Sequence, residues 1–141
     1  MTDTVSPNRL DIHGVWKSHY RFPSSSREKE FEIDYYVRAH RVDGHIVFAT
    51  VPGTSSSYVV VRLYFDELVG TGSWQEETDP EGYYKGAVYH GAIQVVASED
   101  HKHLKGQWVG FGKNMQVNTG PWEFTYVGED LPPDVPTTEA Q

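Results

Sequence analysis

Polar and apolar side chains alternate with period two over most of this chain, the signature of strands that are dry on one side and wet on the other. Around Asp43-Gly44, one face carries Phe31, Ile33, Tyr35, Val37, Ala39, Ile46 and Phe48. The other carries Glu32, Asp34, Arg38 and His40, with Val47 and Val51 as apolar exceptions. An Asp-Gly pair between two such runs predicts a type I′ two-residue loop, because both central positions need positive φ. That loop sets Arg41 opposite Ile46, Ala39 opposite Phe48 and Val37 opposite Thr50. A slip of one residue would mix the faces.

A second hairpin is expected at Thr78-Asp79-Pro80-Glu81-Gly82-Tyr83. Pro80 suits the first central position of a type I turn, and Gly82 the left-handed position of a bulge. Counting outward pairs Glu77 with Lys85, Thr78 with Tyr84, Glu76 with Gly86 and Trp74 with Val88. Ser73, Gln75, Glu77 and Lys85 then face out, with a cross-strand ion pair between the last two. Trp74, Glu76, Thr78, Tyr84, Val88, His90 and Gln94 face in, a polar set for a barrel interior.

Further runs fit strands at about Val15–Phe22, Tyr58–Phe65, Tyr83–Ala97, Leu104–Phe111 and Trp122–Val127, with Val59, Val61 and Leu63 sharing a face. Loops are expected at 23–26, 52–57, 98–102 and 113–120. Residues 1–12 read as a flexible leader, 13–128 as one β domain, and the acidic, Pro-rich 129–141 as a disordered tail. No segment has a helical period. Eight sequential strands with short connections form an all-β, antiparallel up-and-down barrel, which removes the sheet edges. A flattened two-sheet sandwich is the alternative.

Gly14-Val15-Trp16 resembles the G-x-W opening of calycin barrels (lipocalins and avidins), in which the Trp plugs one end. Gly106-Gln107-Trp108-Val109-Gly110 and Val117-Asn118-Thr119-Gly120-Pro121-Trp122 resemble the last avidin hairpin. Leu104 replaces a ligand-stacking Trp of that pattern and Pro121 is an insertion, so biotin binding is not implied. A closer resemblance spans Gly14 to Val127. Tyr83 to Gly91 and Trp108 to Gly112 are similar to an uncharacterised β domain that follows helix-turn-helix modules in bacterial XRE-type regulators. It implies a sensing or interaction role, by association alone. This chain shows no such module.

The 141 residues suit one domain. There are no cysteines, which removes thiol chemistry, Cys-ligated zinc and disulfides. The polar N-terminus shows no signal peptide and no membrane span, so a cytoplasmic protein of bacterial type is the expectation. With a net charge of −8 and scattered basic residues, nucleic-acid binding by this chain alone is disfavoured.

The expected site is the lumen, lined by Tyr20, Tyr35, Trp74, Glu76, Tyr84, His90, Gln94 and Trp108. Aromatic rings with a few polar groups make a small-molecule pocket, and plain core packing is the competing reading for each Trp. Trp16 reads as a plug, and Trp122 as core or subunit contact. Glu76, His90 and Tyr84 share the expected inner face, but a Glu76–His90 dyad would be stretched over about 13 Å of strand. Arg62 is a ligand partner if it turns in, and a solvated side chain otherwise. His101 and His103 have pair spacing on a strand but no third ligand, as a zinc site needs. Gly86, Gly91, Gly106 and Gly110 suggest close backbone approach or room for a ligand. No nucleotide, protease or hydrolase motif occurs. The ranking is therefore a small-molecule-binding barrel, then a protein-interaction module (a homodimer through Tyr36, Tyr83 and Tyr89), then a cofactor-free cyclase or isomerase. No metal or cofactor is expected.

Overall fold

A computed structural model describes residues 10–23, 30–82, 85–111 and 115–136. Among them run eight strands: β1 (Gly14–Pro23), β2 (Glu30–Val42), β3 (His45–Thr50), β4 (Tyr58–Asp66), β5 (Val69–Glu77), β6 (Val88–Ala97), β7 (His103–Phe111) and β8 (Val117–Gly128). Each pairs antiparallel with its neighbour, and β8 returns to β1, closing an up-and-down barrel. Closure leaves no unpaired strand edge.

The Asp-Gly hairpin has the expected register: Arg41 lies opposite Ile46, Ala39 opposite Phe48 and Val37 opposite Thr50. Asp43 and Gly44 both have positive φ (50° and 81°), as a type I′ turn demands. The faces sort accordingly. Tyr35, Val37, Ala39, Ile46 and Phe48 are buried. On β4, Val59, Val61 and Leu63 point into the core while Arg62 is exposed, so its solvated reading holds.

The second hairpin differs from expectation. The connection runs over 78–87 and holds itself together by two turns. The amides of Gly82 and Gly86 donate to the Asp79 carbonyl at 3.0 and 3.1 Å, and that of Lys85 to the Gly82 carbonyl at 3.1 Å. The positive φ angles fall on Lys85 (55°) and Gly86 (80°), with no left-handed Gly82. Glu77 therefore pairs with Val88, Glu76 with Tyr89 and Trp74 with Gly91. Trp74 had been expected opposite Val88, so the register is displaced by three residues. An odd displacement exchanges the two faces of a strand. On β6, Ile93, Val95 and Ala97 are buried, whereas Val88, His90, Ala92, Gln94 and Val96 face solvent. Lys85 sits in the turn, so its ladder pair with Glu77 does not form.

Two smaller boundaries move as well. β6 begins at Val88 rather than Tyr83, and β8 begins at Val117, inside the stretch expected as a loop. Leu10 and Ile12 pack on the core, and the Tyr126 hydroxyl donates to Glu129 Oε2 at 2.6 Å. Among the described residues no helix is long and apolar enough to cross a membrane.

The barrel has two unlike ends. Connections 43–44, 67–68 and 98–102 turn tightly at one end, where the chain also enters and leaves. β1, β3, β5 and β7 end at the other, at Pro23, Thr50, Glu77 and Phe111. Aromatic rings fill the axis between them. Trp16 meets Phe48 (centroids 5.7 Å apart), Phe48 stacks on Phe124 (4.7 Å), Phe124 on Trp122 (5.8 Å), and Trp122 on Tyr20 (4.4 Å). Such contacts add roughly 0.5–1.5 kcal/mol each to the burial of large apolar surfaces.

Candidate functional site

The polar interior lies at the long-loop end. β1 carries Tyr20, β2 Tyr35, β5 Trp74 and Glu76, β7 Trp108 and β8 Trp122, each at an inward position of its alternation. The Tyr35 hydroxyl donates to Glu76 Oε2 at 2.5 Å. Tyr20 lies near enough to Glu76 for the carboxylate to raise its pKa as well. Burial is the main reason both phenols are pushed far above the usual tyrosine pKa, and the neighbouring Glu76 charge adds to it. Both therefore keep their protons, and Glu76 accepts from Tyr35. A carboxylate offers about four lone-pair directions, so the Tyr35 phenol does not exhaust it.

Rings enclose this group. Tyr20 lies parallel to Tyr35 (6.5 Å) and edge-on to Trp108 (6.4 Å), and Trp74 meets Trp108 edge-on (5.5 Å) and Trp122 at 5.9 Å. These five rings are buried. Above them Phe22, Ile33, Glu76 and Tyr89 are half-buried and form the rim.

The indole N–H groups are already satisfied. Trp16 donates to the His13 carbonyl (2.8 Å), Trp74 to that of Val109 (3.2 Å), Trp108 to that of Arg21 (3.0 Å) and Trp122 to Ser18 Oγ (2.7 Å). Two glycines make the Trp74 contact possible. A Cβ on Gly91 would lie 2.8 Å from Trp74 Nε1, and one on Gly110 2.7 Å from its Cζ2. The space these glycines open is thus filled by Trp74 rather than left for a ligand.

Of the expected lining, the structure brings together Tyr20, Tyr35, Trp74, Glu76 and Trp108. His90 and Gln94 are corrections: both stand on the outer wall, where Gln94 Nε2 donates to Thr71 Oγ1 at 3.0 Å. His90 joins Arg62, Ser73 and Gln75 around an open depression of about 390 Å³. The barrel wall separates it from Glu76. Tyr84 lies outside the described residues. Trp122 is interior, not a subunit contact. Tyr89, assigned earlier to an outer surface, occupies an inward position opposite Glu76. Tyr36 is half-buried and Tyr83 lies outside the described residues.

Trp122 and Tyr89 belong to the cluster and were missed as lining. Even parity along β8 was a usable signal for Trp122. Tyr89 was hidden by the misread register. His103 faces Glu123 (3.7 Å), and among the described residues no group of three or more side chains could hold a metal ion.

The chain matches no known family model, no curated protein and no solved structure.

Proposed function

We propose that this barrel binds a small molecule at its long-loop mouth, with Glu76 as the polar anchor and the surrounding rings as walls. The observation that carries the reading is a half-buried carboxylate that accepts from the buried Tyr35 hydroxyl and stands beside the buried Tyr20 phenol. A core built for stability alone would place apolar side chains there, because desolvating a carboxylate costs more than its hydrogen bonds return. The same end carries the long connections, where binding residues concentrate on rigid scaffolds. The calycin resemblance supports the same assignment, since Trp16 stands at the opposite, tight-turn end.

The chemistry of the mouth selects the ligand class. A carboxylate already oriented by one donor takes a further donor, best a cationic one, and aromatic faces attract cations. The ligand is therefore a protonated amine on a flat apolar body, held shallowly, because the barrel is packed below the tryptophan layer. An acid–base enzyme is a weaker reading, since His90 lies on the far side of the wall from Glu76.

Thermal-shift and calorimetric titrations with tryptamine and with its carboxylate counterpart indole-3-acetate test this. Tryptamine is expected to stabilise the protein by linkage, indole-3-acetate to leave it unchanged, and Glu76→Gln to abolish the tryptamine response. Equal responses to both ligands, or none to either, would remove Glu76 as the anchor.

A further inference from the structure

The open depression of about 390 Å³ on the outer wall spans β4, β5 and β6. Its polar lining is Arg62, Ser73, Gln75 and His90. In one row of the ladder Arg62 stands opposite Ser73, and in the next outward row Gln75 stands opposite His90. Arg62 and His90 are thus two strands and two residues apart, roughly 12 Å between Cα atoms at a spacing of ~4.8 Å and a rise of ~3.4 Å. Ser73 and Gln75 lie on the strand between them. Gly91 and Ala92 keep the floor low.

None of these four side chains has a hydrogen bond or ion pair among the described residues. Cationic groups elsewhere are held. Arg38 and Arg41 donate to the Glu129 and Leu10 carbonyls at 3.1 and 2.8 Å, and His13, His19 and His103 face carboxylates at 2.9, 2.5 and 3.7 Å. The chain has 20 acidic residues against 12 Lys and Arg, so a guanidinium left without a carboxylate stands out. Its outward neighbours are Val47 on β3, Val60 and Tyr64 on β4 and Ser73 on β5, none of them acidic. Along β4 and β5 the carboxylates come later on the outer face: Glu77 one outward step beyond Gln75, and Asp66 two beyond Arg62. The outward positions of β6 hold none.

We propose that this depression binds the phosphate group of a small molecule. The arginine fork supplies two parallel donors to an oxyanion. Serine, glutamine and histidine each add at least one more, whichever ring nitrogen of the histidine carries the proton. A carboxylate would be satisfied by the fork alone and leave Gln75 and His90 unused. A phosphate has three terminal oxygens and about −1.5 to −2 charges at neutral pH, so it can bridge the span from Arg62 to His90. The net charge of −8 repels a polyanion such as nucleic acid, and an anionic membrane likewise, which leaves a single small phosphate as the occupant. The barrel wall separates this site from Glu76, so it does not depend on the ligand reading of the mouth.

An amide-resolved NMR titration of the full chain with sodium phosphate, at neutral pH and fixed ionic strength, tests the proposal. The amides of Arg62, Ser73, Gln75 and His90 are expected to shift together and to saturate in the low millimolar range. Arg62→Gln should weaken phosphate binding by ~10-fold or more, and His90→Gln by a smaller factor. Glu76→Gln should leave it unchanged. Unaltered amide dispersion away from the site establishes that each variant folds. Glycerol phosphate separates the sources: tighter binding than inorganic phosphate supports an organic phosphate as the ligand, and equal binding supports the free ion. Shifts that stay linear and spread over the surface, an equal response to sodium acetate, or saturation that survives Arg62→Gln would overturn the proposal.

Discussion

The two ends of this barrel share the same eight strands and differ in almost everything else. At the tight-turn end, 43–44 and 67–68 are two-residue connections. Trp16, Phe48, Phe65, Leu63, Leu104 and Phe124 are all but fully buried there. The chain ends reinforce it: Ile12 is buried, and His13 lies between Asp11 (3.1 Å) and Glu129 (2.9 Å). At the long-loop end, connections are longer, the rim is half-buried, and a carboxylate with two phenols replaces hydrocarbon. One end is built to exclude water; the other keeps polar groups within its reach. The contrast teaches that a closed barrel can concentrate its dry core at one end and tolerate polar groups at the other.

The largest test of this contrast is truncation at each end. Phe48→Ala is expected to lose roughly 3–5 kcal/mol of unfolding free energy, as buried aromatics generally do. Phe22→Ala, on the half-buried rim, should lose under about 2 kcal/mol in the same urea titration. Equal losses would erase the distinction. Next, Gly110→Ala, whose Cβ would meet Trp74 Cζ2 at 2.7 Å before any backbone atom, should push Trp74 from its slot at a cost of about 1–3 kcal/mol, with a red shift in tryptophan emission. A silent substitution would mean that Trp74 is not wedged against β6 and β7.

Removing one donor sharpens the comparison further. Tyr35→Phe should cost about 1–2 kcal/mol at neutral pH, since hydrogen bonds to charged groups exceed neutral ones. It should also flatten the alkaline limb. Above the ordinary tyrosine value of about 10, these two phenols ionise in the unfolded chain but not in the folded one. The unfolded state then binds fewer protons, so stability falls as pH rises. Melting temperatures between pH 8 and 11 should fall less steeply in Tyr35→Phe and in Tyr20→Phe. Parallel limbs for all three proteins would show that neither phenol carries a raised pKa. Smallest is Gly44→Ala. A Cβ there meets nothing within 4 Å, so the cost is backbone strain alone at φ 81°, about 1 kcal/mol. A larger loss would point to contacts of the turn that the structure does not contain.

The legible parts of the molecule were those set by local chemistry. Asp43-Gly44 specified a turn, the turn specified a register, and alternation then sorted Tyr35 to Phe48 inward. Arg62 as a solvated residue followed from the same alternation, whereas the burial of Trp16 was expected from the G-x-W resemblance. At the second hairpin the local signals pointed elsewhere. Pro80 and Gly82 favour a short loop, yet Asp79 is held from outside the hairpin. Ser56 Oγ donates to its Oδ2 at 2.9 Å, and its amide donates to Ser57 Oγ at 3.1 Å. Those serines belong to the neighbouring 51–57 connection. Its side chain also accepts from the Glu81 amide at 2.9 Å, an Asx turn that starts the longer path.

Strand number, antiparallel order and the inward faces of β2 to β5 were thus determined by the amino-acid sequence alone, because polarity alternation and a tight turn act over a few neighbouring residues. The face of β6 was decided by tertiary structure. A loop anchored across the mouth displaces the ladder by three positions, and an odd displacement sends His90 and Gln94 to solvent while turning Tyr89 toward Glu76. Such a choice rests on contacts between segments distant along the chain, which no local pattern encodes.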